Sequence, residues 1–78
     1  MSFKHLGRHY GIYMQSDGDR DGMALELMDE TEHPHSLVLE VFYADADGTL
    51  TLTTYREAIS LELVEMVISQ ARLKLPPG

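Results

Sequence analysis

Two short stretches carry carboxylates at spacings that suggest cation binding. Asp17, Asp19 and Asp21 alternate and are followed by Gly22, while Asp45 and Asp47 are followed by Gly48. An EF-hand loop takes side-chain oxygens from positions 1, 3 and 5, glycine from position 6, and a bidentate glutamate from position 12. Counted from Asp17, the last position is Met28; counted from Tyr43, the first is the tyrosine itself and the last is Thr54. A thioether or a lone hydroxyl does not replace a bidentate carboxylate on a hard cation. The flanks also alternate like strands instead of forming helices. Both stretches therefore read as polar turns, and no metal is assigned to them.

The histidines form two pairs. His5 and His9 are four apart, a spacing that would put both on one helical face for zinc, but Gly7 and Gly11 weaken any helix there. His33 and His35 flank Pro34 in a polar loop. If His9 opens a strand, a His9/His33/His35 cluster lies at one end of the sheet, which defines a histidine-based metal-binding alternative. The main reading leaves these histidines solvated, with no metal and no cofactor. Catalysis has little support: the chain has no cysteine, no G-x-S-x-G turn and no glycine-rich phosphate loop. The expectation is a protein that is not an enzyme.

The elements that must position these residues follow from periodicity. "HYGIYMQ" sets Tyr10, Ile12 and Met14 on one face. "MALELMD" sets Met23, Leu25 and Leu27 against Ala24, Glu26 and Met28. "SLVLEVFYA" aligns Leu37, Leu39, Val41 and Tyr43, with Val38 and Phe42 behind them. "TLTLTTY" sets Leu50 and Leu52 against threonines. Such alternation marks half-buried strands. The links between them are short, and Asp47-Gly48 is a hairpin signal, so consecutive strands pair antiparallel. From Ser60 the period lengthens: Leu61, Val64, Ile68, Ala71 and Leu75 recur at spacings of three and four, flanked by Leu63 and Val67. Ser60 is the expected hydroxyl N-cap, and Pro76 and Pro77 the stop. The reading is α+β: one domain over residues 1–78, a four-stranded antiparallel β-meander with one C-terminal α-helix, about residues 61–74, packed on one face.

Composition then narrows the function. The net charge is −7, and residues 16–50 hold ten acids against Arg20 alone. That distribution repels a polyanion, which excludes nucleic acid as a partner. No apolar run approaches the ~18 residues that cross a membrane, so no membrane partner is expected. "MSFKHLGRHYGIY" lacks a signal peptide's apolar stretch, so a cytoplasmic location is expected.

In a meander the first and third turns emerge at the same end, which gathers Asp17, Asp19, Asp21, Asp45 and Asp47 into an acidic pole. The helix covers one sheet face. The other would carry Tyr13, Ala24, Met28, Val38, Phe42 and Tyr55, more apolar than a wet face requires. The leading expectation is a non-enzymatic interaction module that binds a protein, itself or a partner, through Tyr13, Met28, Val38, Phe42 and Tyr55, with a homodimer the simplest form. The alternative is an acidic, immunity-type inhibitor that neutralises a basic enzyme through the acidic pole.

Overall fold

A computed structural model describes residues 1–76, so Pro77 lies outside the described residues. Among the described residues, strands β1 (Ser2–His5), β2 (Arg8–Asp17), β3 (Gly22–Asp29), β4 (Ser36–Ala44) and β5 (Leu50–Thr54) precede one helix, α1 (Leu61–Lys74). The strands form one sheet in chain order, each antiparallel to the next. The meander and the C-terminal helix are as expected, but there are five strands and not four.

The additional strand is β1. It pairs Ser2 with Gly11 and His5 with Arg8 across a two-residue turn. Both turn residues, Leu6 and Gly7, have positive φ, at 48° and 79°, the backbone that a tight hairpin of matching twist needs. Leucine is a poor residue for that position, and "SFKH" has one large apolar side chain, so neither turn nor strand signals itself. Phe3 faces Tyr10 across the pair and stacks on it, ring centroids 5.8 Å apart.

A second departure lies between β3 and β4. Leu27 pairs with Leu39 and Met28 with Leu37, so Val38 is an extra residue opposite one step of β3. This is a β-bulge, and it breaks the alternation. Val38 and Leu39 both enter the core, 2% and 0% exposed, whereas Leu37 pairs with Met28 on the far face. Val38 was expected on the helix-free face; the bulge moves it.

The core joins Tyr10, Ile12, Leu25, Leu27, Leu39 and Val41 to the underside of α1, where Leu63, Val67 and Ala71 are buried. The helix bounds agree with the periodicity, but its rotation does not. Leu61 is 71% exposed and Ile68 42%, although both belonged to the expected stripe. Apolar residues lie on several sides of this helix, so spacing alone admits more than one buried face. Leu63 and Val67, read as flanks, are the residues the sheet selects. The expected hydroxyl cap is also absent: Ser60 makes no side-chain cap bond, and its Oγ lies 3.3 Å from His5 Nε2. Glu62 in the first turn and Arg72 and Lys74 in the last complement the helix dipole. Leu75 is extended before Pro76, which ends the helix.

Candidate functional site

The helix lies over β3 and β4, the middle of the sheet. Three surfaces around it bear on function.

The first is the helix-free face, where a partner surface was expected. Side chains of the chain itself already cover part of it. Arg20 leaves the β2–β3 turn and lays its guanidinium over the Phe42 ring, 4.1 Å from the centroid. It also donates to Glu40 at 2.7 and 3.2 Å and, through Nε, to Asp17 at 2.6 Å. Phe42 is consequently only 8% exposed and Glu40 3%. The bonds to Glu40 and Asp17 stabilise the Arg20 charge and push its pKa up. Glu26 stands directly opposite Glu40, and burial, then the neighbouring Glu40 charge, raise its pKa.

Nearer the other end, Tyr13 is half-buried, its ring over Gly11 and its hydroxyl donating to Glu30, and Met28 is half-buried too. Tyr55, one residue past β5, is 52% exposed. Of the five expected contact residues, Val38 belongs to the core and Phe42 is roofed by Arg20. Tyr13, Met28 and Tyr55 remain on the surface.

The second surface is the end of the sheet that carries the acidic turns. The amide of Asp45 donates to the Asp21 carbonyl at 3.0 Å, so the two turns touch. Their carboxylates have different duties. Asp17 accepts from Arg20, whose hydrogen bonds lower its pKa. Asp47 accepts from the Thr49 amide and hydroxyl at 3.0 and 2.8 Å and shapes its own turn, which lowers its pKa. Asp19, Asp21 and Asp45 face water, and among the described residues none is in an ion pair.

At the opposite end the structure builds a site that the sequence reading did not single out. Asp29 is fully buried. One of its oxygens accepts from Arg8 Nε and Nη2 at 3.0 and 2.8 Å and from Arg56 Nη1 at 2.9 Å; the other accepts from the Thr31 amide at 3.0 Å. Burial alone would raise this carboxyl's pKa, but the Arg56, Arg8 and Thr31 donors outweigh it and hold it at about 2. Arg56 also donates to Glu32 and Ser36. The cluster ties the β5–α1 linker to the sheet. A signal was present in the sequence: Asp29 continues the inward series Met23, Leu25, Leu27. A carboxylate in that register must be buried, and a buried carboxylate needs cations.

Beside this cluster is a cavity of about 330 Å³, lined in part by His5, Arg8, Tyr10, Arg56, Ser60 and Leu63. His5 and Ser60 meet there, but Asp29 faces the arginines, and both guanidinium groups are engaged by it. Nucleophilic chemistry needs a base oriented by a third group, and no such group bonds His5 among the described residues. His33 and His35 have ring centroids 5.9 Å apart. Among the described residues no three metal-ligating side chains gather, so His9 does not complete a cluster with them.

The third surface is the groove between α1 and β5. Leu50, Leu52, Val41, Ile68, Ala71 and Arg72 line it, and its volume is about 140 Å³. Leu52 is 47% exposed and Ile68 42%. No helix among the described residues is long and apolar enough to cross a membrane. Comparison with protein-family models, with curated proteins and with solved structures finds no match for this chain.

Proposed function

We propose that this protein is a non-enzymatic interaction module, and that its contact surface is the apolar flank of α1 and β5 instead of the helix-free face. The observation that carries this reading is the placement of Leu52, Leu61 and Ile68: large apolar side chains turned to solvent while the core closes without them. Exposed apolar surface on one side of a small domain marks a contact region. The helix-free face supports the role less well, because Arg20 covers Phe42. The partner is a protein, another copy of the chain or a different one. A cytoplasmic setting agrees with the absence of cysteine.

The test has two parts. Ile68→Glu should leave the unfolding free energy from urea titration within about 0.5 kcal/mol of the parent, as for a surface position outside the core. The same variant should abolish the complex that the parent chain forms at native expression level, read by cross-linking in its own cells. A loss of more than about 1.5 kcal/mol would place Ile68 in the fold, and a parent chain that migrates as a monomer would remove the reading.

One observation favours a second reading, an acidic inhibitor of a basic enzyme. Asp19, Asp21 and Asp45 share one end, and Arg20, the base nearest in sequence, is engaged with Asp17 and Glu40. Such an association would weaken steeply with salt and with aspartate-to-asparagine changes at those three positions.

A further inference from the structure

We infer that two copies of this chain join edge to edge through β5, extending the meander into one continuous antiparallel sheet. The inference rests on the interaction-module reading and names its partner as a second copy.

The ladder geometry sets the pairing. Ala44 donates to Thr49 O at 3.0 Å and Tyr55 donates to Val38 O at 2.8 Å, and these two pairs fall in the same register as the rest of β4–β5. Antiparallel pairs alternate between hydrogen-bonded and non-bonded. Thr51 and Thr53 therefore spend their backbone groups on β4. Leu50, Leu52 and Thr54 turn theirs outward, three N–H and three C=O groups along the free edge. A two-fold axis at Leu52 sets that residue opposite its own copy and sets Leu50 opposite the partner's Thr54. Every outward group then meets a complementary one, giving six bonds between the chains.

Charge and exposure favour this edge. A chain of net charge −7 repels its copy, and approach is easiest where acids are absent. Residues 48–56 contain no acid. Strand edges are ordinarily guarded by charge, proline or a bulge. β1, the other edge, carries Lys4, whereas β5 reads Leu-Thr-Leu-Thr-Thr and has no such guard. Pairing at the two-fold also brings Leu52 against its copy on the helix side, where it is 47% exposed and lines the groove with Ile68. The edge is five residues long, about 17 Å at ~3.4 Å per residue. Stable specific interfaces bury about 1,600 Å² in total, and a dimer held along so short an edge forms and dissociates with concentration.

The test uses the whole purified chain from micromolar to millimolar concentration. Sedimentation should move from one chain towards two. Over the same range the Leu50, Leu52 and Thr54 amides should exchange at least ~10-fold more slowly, as amides withdrawn from solvent do. Thr51 and Thr53, already bonded to β4, should not change. Leu52→Lys should keep the fold and stay monomeric, while Leu73→Lys, an exposed control on α1, should dimerise as the parent does. A monomer throughout would overturn the inference and leave the module reading to its own cellular test. A dimer with unchanged exchange at those three amides would place the interface elsewhere and overturn it too. So would a monomer whose three amides are protected only by a synthetic peptide copying residues 49–53, because β5 would then be a peptide site.

Discussion

Replacing Asp29 with asparagine removes one charge and almost no volume. In the parent, a single carboxylate oxygen takes all three arginine bonds, and the other takes the Thr31 amide. Asparagine has one acceptor oxygen. Turned to the arginines, it sets its NH₂ against the Thr31 N–H; turned to Thr31, it sets the NH₂ against two guanidinium groups. Breaking a buried ion pair from one side costs about 3–5 kcal/mol. The side chains of Arg8 and Arg56 are 43% and 30% exposed and rehydrate in part, and Arg56 keeps Glu32. The lower end applies, about 3 kcal/mol. A chain of this length has about 4–12 kcal/mol of stability in all, so the change is large.

Acid unfolding supplies an independent check. Asp29 titrates at about 2 in the folded chain against an ordinary 3.8, a difference of about 2 kcal/mol of stability. Its folded pKa is depressed, so this stability is present above the ordinary pKa and is lost as pH falls through the folded one. The parent should lose it between about pH 4 and pH 2, and Asp29→Asn should show no such component. Urea titrations of both proteins at several pH values read this directly. A cost below about 1 kcal/mol, with parallel acid limbs, would refute the claim that Asp29 is held ionised by the two arginines.

Gly22→Ala should be among the most damaging small changes. An added Cβ would lie 2.0 Å from the Tyr43 carbonyl oxygen and 2.5 Å from the Phe42 ring, a clash with backbone costing about 3 kcal/mol or more. Gly11→Ala meets only the ends of Tyr13 and Glu30, which can move, so its thermal midpoint should fall less; equal losses would mean the β3–β4 backbone yields easily. Leu63→Ala should cost about 2–5 kcal/mol, because Leu63 is buried under α1. Leu61→Ala should stay within about 0.5 kcal/mol. Chemical denaturation showing the reverse order would return the helix to the face its periodicity suggested.

Much of the architecture was legible in the residues. Period-2 runs marked β2 to β5, and short polar links made them a meander. The change of period at Ser60 and the proline after Leu75 bounded α1 closely. β1 escaped because it has four residues and turns through Leu6-Gly7, a pair without a strong hairpin signal. The candidate site was less legible. The shared end of the two acidic turns followed from topology, and the Asp21–Asp45 hydrogen bond joins them. Which surface stays open did not follow, since it depends on where Arg20 folds and which way α1 rolls.

Local spacing determined which segments are strands, which is a helix and how they connect, because backbone periodicity is a property of neighbours in the chain. Only tertiary structure decided the rest. The β-bulge sent Val38 inward and Leu37 outward, since a single inserted residue shifts the pleat for everything beyond it. The sheet chose Leu63 and Val67 over Leu61 and Ile68, because several helix faces were apolar enough and only one fits the packed surface. Arg20 covered Phe42 and Glu40 on one sheet face by reaching residues twenty and more positions away. Contacts between residues so far apart in the chain leave no local pattern in the sequence, and they determine which part of this protein's surface stays open.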